Sequence, residues 1–185
     1  MTTNDTGGAT GDNPAKARAE HVSWADFDTA EPDFAKAVRE RFALFRHHVL
    51  GTLRADGSPR LTGLEVGFLD GHMWLGMMPN SLKARDLHRD ARFSIFANPG
   101  EGAEMTHGDV RVSGRAVEEA DGPAKDAYAR AVEAPQPFHL FRVEVGEVSA
   151  MGLEGEEMVL RVWRPGGALR TTRRGNDDVP GRTWD

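Results

Sequence analysis

Cysteine is missing from all 185 residues, which removes disulfides, thiolate nucleophiles and cysteine-ligated zinc or iron–sulfur centres from the chemistry open to the chain. Lysine is scarce, standing only at Lys16, Lys36, Lys83 and Lys125, and tyrosine occurs once, as Tyr128. Long apolar runs are lacking too: none approaches the roughly 20 residues that cross a bilayer, and residues 1–20 have no apolar centre of the kind a secretion signal carries. The expectation is a cytoplasmic protein with no membrane partner. Positive charge is in deficit, with a formal net charge of -6, so the surface repels nucleic acid and no nucleic-acid partner is expected. Neither a G-x-G-x-x-G nor a Walker-type glycine loop occurs, which leaves a Rossmann fold and a P-loop unsupported. No His or carboxylate spacing selects a metal, so none is expected, and Ser and His are too dispersed to name a catalytic residue.

What is present reads as one soluble domain with polar ends. Residues 1–30 are assigned to a disordered N-terminal tail, because the Gly, Thr, Asn and Asp of 1–22 show no hydrophobic period. Residues 31–166 form the folded domain, and 167–185 a polar C-terminal tail. From Pro32, the spacing of Phe34, Val38, Phe42 and Phe45 predicts an amphipathic helix to about Arg46. Strands are expected at 49–54, 59–69 and 72–78, separated by Asp56-Gly57 and Asp70-Gly71, a dipeptide that favours hairpins. In the middle strand Arg60, Thr62, Leu64, Val66 and Phe68 share one face. A short helix from Ser81 to about Arg89 follows, then strands at 92–97 and 110–118 joined by a 100–108 loop. A helix at 123–132 and strands at 138–151 and 158–164 complete the domain. The fold class is mainly β with short flanking helices. Six to seven antiparallel strands suggest a barrel, since closure removes exposed edges.

The most informative stretch is 77–87, Met-Met-Pro-Asn-Ser-Leu-Lys-Ala-Arg-Asp-Leu. A helix start has unpaired N–H groups and the positive end of the peptide dipole, so it favours acids. This one offers Ser81 and Lys83 instead, a combination suited to an external anion such as phosphate.

Three segments, L-R-A-D-G-S-P-R at 53–60, the 74–87 run ending S-L-K-A-R-D-L, and V-R-V-S-G-R-A at 110–116, give the chain a resemblance to the pyridoxamine 5'-phosphate oxidase-like, FMN-binding split-barrel family, which includes the flavin and deazaflavin oxidoreductases. The resemblance covers 49–163. It implies a homodimeric antiparallel split β-barrel over 31–166, with FMN at the subunit interface and hydride exchanged with a small-molecule substrate. By similarity the cofactor-binding residues are Arg60, Leu61, Thr62, Gly76, Met77, Met78, Ser81 and Lys83. In this comparison Arg60 and Lys83 are directed at phosphate, while Gly76 lets backbone approach a flat ring. The alternatives are a reductase using the deazaflavin coenzyme F-420, or a non-catalytic flavin- or haem-binding protein. The chain departs from the oxidase proper at Leu82, where an arginine precedes the lysine, at Glu65, in place of a substrate-holding lysine, and at Asp109, in place of a flavin-contacting glutamine. The C-terminal R-L-x-P signature is missing as well. These changes argue against vitamin B6 oxidation, and Arg85 is a candidate replacement for the lost arginine.

Other residues point less sharply. His47 and His48 adjoin at a helix-to-strand junction, a spacing that does not converge on one ion, while His72, His88 and His107 read as surface histidines. His139 is a candidate pocket residue. Tyr128 reads as core, and Trp163 either covers a flavin or fills the barrel end. Glu154, Glu156 and Glu157 flank a glycine turn as solvated charges.

Overall fold

Alternation and turn chemistry set the frame of the computed structural model, which describes residues 20–100, 108–177 and 179–184. Among these residues ten strands run in chain order: β1 His48–Leu53, β2 Pro59–Leu64, β3 Val66–Leu69, β4 His72–Met77, β5 Arg92–Phe96, β6 Asp109–Glu118, β7 His139–Glu154, β8 Glu157–Trp163, β9 Arg170–Arg174 and β10 Arg182–Trp184. Four helices accompany them: α1 Trp24–Ala30, α2 Pro32–Ala43, α3 Leu82–Arg89 and α4 Pro123–Val132. The β3–β4 hairpin turns on Asp70 and Gly71, both at positive φ (50° and 73°), the backbone that a type I′ turn demands.

Strand pairing closes on itself. β1 pairs with β2 on one side and β5 on the other, β5 with β6, and β6 with β7. The first part of β7 pairs with β4, and β4 with β3. Glu65 alone separates β2 from β3, so a single stretch of chain pairs first with β1 and then with β4, completing an antiparallel ring. The strand expected at 59–69 is therefore two short strands, with its in–out alternation kept. Leu64 is buried, and Val66 and Phe68 pack on the main core, whereas Leu69 joins a second cluster around Trp74 and Tyr128. Beyond the ring, the later half of β7 (Val148–Glu154) carries β8, β9 and β10 as an antiparallel extension, so the strand count exceeds the six to seven expected.

Inside the ring sit Leu50, Met73, Leu75, Ile95, Val112, Phe141, Val143 and Val145, all buried. Helices α1 and α2 cap this core with Trp24, Phe27, Phe34, Val38 and Phe42. Full burial of a side chain such as Phe27 is worth about 1.5–3 kcal/mol. α1 lies within the segment expected to be a disordered tail. Its start is a reciprocal capping box, Ser23 with Asp26, and burial of Trp24 and Phe27 anchors it to the core. The 167–185 segment likewise differs from a plain polar tail. Of its threonine- and arginine-rich strands, β9 pairs with β8 and β10 with β9, Leu169 packs against the core, and the Leu169 N–H donates to Glu31 Oε1. The expected 100–108 loop, with His107, lies from 101 to 107 outside the described residues, as does the 1–19 part of the N-terminal tail.

Candidate functional site

Helix α3 follows the end of β4 after a four-residue turn. Asn80 takes positive φ (58°), turning the chain into Ser81, the N-cap. Ser81 makes no side-chain cap bond, no acidic residue occupies the first turn, and the Ser81 Oγ is buried without a hydrogen-bond partner. The first N–H groups of the helix therefore lack the satisfaction that a serine cap usually provides. Lys83 Nζ donates to the carbonyl oxygen of Gly63 at 2.7 Å. It has no carboxylate at ion-pair distance among the described residues, and burial pulls its pKa below the ordinary lysine value. Beside Gly63 on β2, Thr62 Oγ1 is also buried and unpartnered. Two orphaned hydroxyls and an uncompensated ammonium thus lie along the join of α3 and β2, a donor set that fits phosphate oxygens.

Arg60 behaves differently. Its Nε donates to Asp86 Oδ2 at 2.6 Å, and Thr52, its cross-strand partner, donates to the same oxygen at 2.9 Å. Arg89 donates to the other carboxylate oxygen at 3.1 Å. Burial pushes the Asp86 carboxyl up, but the hydrogen bonds from Arg60, Thr52 and Arg89, with the Arg60 charge, outweigh it and hold the group below the usual carboxylate value. The Nη groups of Arg60 make no hydrogen bond among the described residues, so its fork remains available while its stem is fixed.

The remaining expected residues divide. Leu61, 71% exposed, points to the face opposite Arg60 and Thr62; Met78 is exposed, whereas Met77 is buried in the barrel core. The space beside the Gly76 backbone is filled by the Tyr128 ring, whose hydroxyl would lie 3.4 Å from a Cβ at that position. The flat ring that this glycine admits is one of the protein's own. Tyr128 is buried in the cluster with Trp74, Phe138 and Leu140, as expected for core. Trp163 fills the barrel end against Phe27, with centroids 4.7 Å apart. Glu65 is engaged by Arg46 at 2.9 Å. Arg85 is exposed and makes no ion pair among the described residues. Asp109 lines a half-open cavity of about 430 Å³ with Phe34, Val38, Arg41, Met151 and Leu169, between α2 and the β6–β7–β8 face. His48 is buried, its Nδ1 accepting the Asn98 N–H, and burial with the nearby Arg41 and His47 charges lowers its pKa.

Sequence reasoning missed one constellation. His88, Glu118 and His139, scattered along the chain, meet at the C-terminal end of α3. Glu118 Oε2 lies 2.6 Å from His88 Nε2, and Glu118 Oε1 lies 2.6 Å from His139 Nδ1. No motif spacing signals this meeting; the β6–β7 register produces it, by setting Glu118 opposite Phe141, two residues from His139.

An antiparallel ring with helices on its outside defines a small β-barrel protein. The sequence pattern of the family described as Pyridoxamine 5'-phosphate oxidase matches residues 34–152, and the chain belongs to that family. Among solved structures it is similar to a pyridoxamine 5'-phosphate oxidase-related, FMN binding protein from Nostoc punctiforme, with 16% identity over 83% of this chain and 94% of that one and a TM-score of 0.53. It is similar also to a heme binding protein from Mycobacterium smegmatis (23% identity, 69% and 57% coverage, TM-score 0.51). A third is a protein of unknown function from Agrobacterium tumefaciens (24% identity, 67% and 58% coverage, TM-score 0.55). This chain thus spans a little under three fifths of the last two. At these identities the likeness concerns the fold. Comparison with curated proteins finds no match.

Proposed function

We propose that the chain is a flavin-dependent oxidoreductase that holds FMN by its phosphate at the start of α3. The observation that carries this reading is the first turn itself: an N-cap Ser81 whose buried hydroxyl has no partner, beside a Lys83 ammonium with no acid. Ser81 Oγ, Thr62 Oγ1 and the first N–H groups of α3 donate to phosphate oxygens, Lys83 supplies a point charge, and the free Nη groups of Arg60 a planar fork. The Arg60–Asp86 pair fixes that fork before any ligand arrives, which limits the side-chain entropy lost on binding. A bound flavin supplies hydride acceptance and donation, with a small molecule as the other reactant. The match of residues 34–152 to the pyridoxamine 5'-phosphate oxidase family and the likeness to an FMN binding protein support the reading.

A homodimer belongs to the same proposal. Leu61, Met78 and Leu82 are 71%, 73% and 55% exposed and lie on the two segments that carry the phosphate donors, so a second copy covering them would enclose the cofactor. Reduction of the FMN-loaded protein by NADH or NADPH, and reoxidation by added acceptors, tests turnover through loss and recovery of flavin absorbance. Retention of FMN with no turnover under any donor would mark a binding protein instead. Retention of the deazaflavin F-420 in preference to FMN would assign the same cradle to that cofactor.

A further inference from the structure

We propose that His88, Glu118 and His139 form a site for a divalent transition-metal ion of the zinc type, with the remaining coordination open to water. The three side chains come from separate elements, the last turn of α3, the end of β6 and the start of β7. Their ligand atoms all lie within 4.8 Å of one another. Both imidazoles direct a nitrogen at the same carboxylate, His88 through Nε2 and His139 through Nδ1, each at 2.6 Å. The Phe141 ring flanks both, with centroids 5.4 Å from His88 and 6.3 Å from His139. Buried Phe141 gives the two imidazoles an apolar neighbour.

The geometry needs little change to take an ion. Zinc binds nitrogen and carboxylate oxygen at about 2.0–2.2 Å, which at tetrahedral angles separates neighbouring ligand atoms by about 3.3 Å. The two nitrogen–oxygen contacts open by less than about 1 Å to reach that spacing, and the two imidazole nitrogens already lie within 4.8 Å of each other. Two nitrogens and one carboxylate suit zinc, cobalt, nickel or copper better than magnesium or calcium, which favour all-oxygen shells. Three protein ligands with partial exposure (side chains of 41%, 35% and 27%) leave solvent in the remaining position, the arrangement of ions that accept an outside ligand. A bound ion would also fasten the end of α3 to the β6–β7 pair, one helix length, or about 12 Å, from Ser81. The proposal is independent of the flavin reading.

The test uses the untagged full chain, freed of metal with a chelator, titrated with Zn2+ by calorimetry and with Co2+ by visible absorption. The expected result is one equivalent per chain at micromolar Kd or tighter, with cobalt bands of a nitrogen- and oxygen-ligated ion. His88→Ala, His139→Ala and Glu118→Gln should each weaken Zn2+ binding by at least tenfold, while His47→Ala and His72→Ala leave it unchanged. Melting curves without metal identify any variant that fails to fold, and Glu118→Gln, which keeps size and hydrogen-bonding capacity, then decides. No stoichiometric uptake, or uptake that survives both His88→Ala and His139→Ala, would overturn the site and leave a carboxylate held between two imidazoles.

Discussion

Arg60 Nε donates to Asp86 Oδ2 at 2.6 Å, and with the Lys83–Gly63 hydrogen bond this contact fastens β2 to α3. Asp86 is 3% exposed and gathers Thr52, Arg60 and Arg89 around one carboxylate. Removing a partner from such a group leaves the opposite charge uncompensated. Asp86→Asn should therefore destabilise the protein by about 2–3 kcal/mol at neutral pH, at or below the low end for a buried pair because Arg60 is partly exposed.

The acid side of the stability curve follows from the same carboxylate. Its pKa is depressed in the folded state, so its contribution is present above the unfolded value of about 3.9 and is lost as pH falls through the folded value. Urea unfolding across the acid range should show the gap between the parent protein and Asp86→Asn narrowing as pH drops below about 4. A gap that keeps its full size there would remove Asp86 as the cause.

Ser81→Ala separates stability from binding. A serine cap that bonds its helix is worth about 0.5–2 kcal/mol, but here the hydroxyl makes no such bond. The ligand-free melting curve should shift by less than about 0.5 kcal/mol in free-energy terms. FMN affinity should fall by about 0.5–1.5 kcal/mol in calorimetric titration. A loss of stability with unchanged affinity would make Ser81 an ordinary cap.

Gly67 and Tyr128 are mutually fitted: a Cβ at residue 67 would stand 2.7 Å from Tyr128 Cε2. Gly67→Ala should cost about 1–3 kcal/mol by overpacking. In a Tyr128→Leu background the added cost should shrink, giving a coupling of at least 0.5 kcal/mol in a double-mutant cycle, about the minimum for residues in contact. Additive effects would show that the ring is free to move away.

Deleting the chain after Gly166 tests the strands that composition disguised. The deletion strips β9 from β8, removes Leu169 from the core and ends the Leu169–Glu31 bond. The expected outcome is a lower melting temperature and concentration-dependent association through the newly exposed β8 edge. A truncated protein with the parent's melting temperature and no association would make the extension dispensable.

The barrel was legible because its signals are local. Asp56-Gly57 and Asp70-Gly71 announced hairpins, and the alternation from Arg60 to Phe68 correctly set Arg60 and Thr62 on the opposite face from Leu61. Ser81 and Lys83 stood out for the charge they place at a helix start. The α1 helix was hidden because its anchoring depends on Trp24 and Phe27 reaching a core built from distant strands. β9 was hidden because Arg170, Thr171, Thr172, Arg173 and Arg174 carry no apolar alternation; edge pairing to β8 orders them. The meeting of His88, Glu118 and His139 depends on register between strands, which no spacing along the chain encodes. Gly76 stands beside a flat ring of the protein's own, that of Tyr128.

The central claim is that the start of α3 grips a phosphate, and paired titrations of FMN and riboflavin against the parent protein and Lys83→Ala test it most directly. The parent should bind FMN more tightly than riboflavin, and Lys83→Ala should weaken FMN by about 1.5–3 kcal/mol, roughly 10- to 150-fold, while leaving riboflavin unchanged. Because burial already lowers the Lys83 pKa, the FMN preference should also fade on the alkaline side before an ordinary lysine would titrate, at about pH 10.4. Equal affinity for the two flavins, or an FMN preference that survives Lys83→Ala intact, would contradict the account.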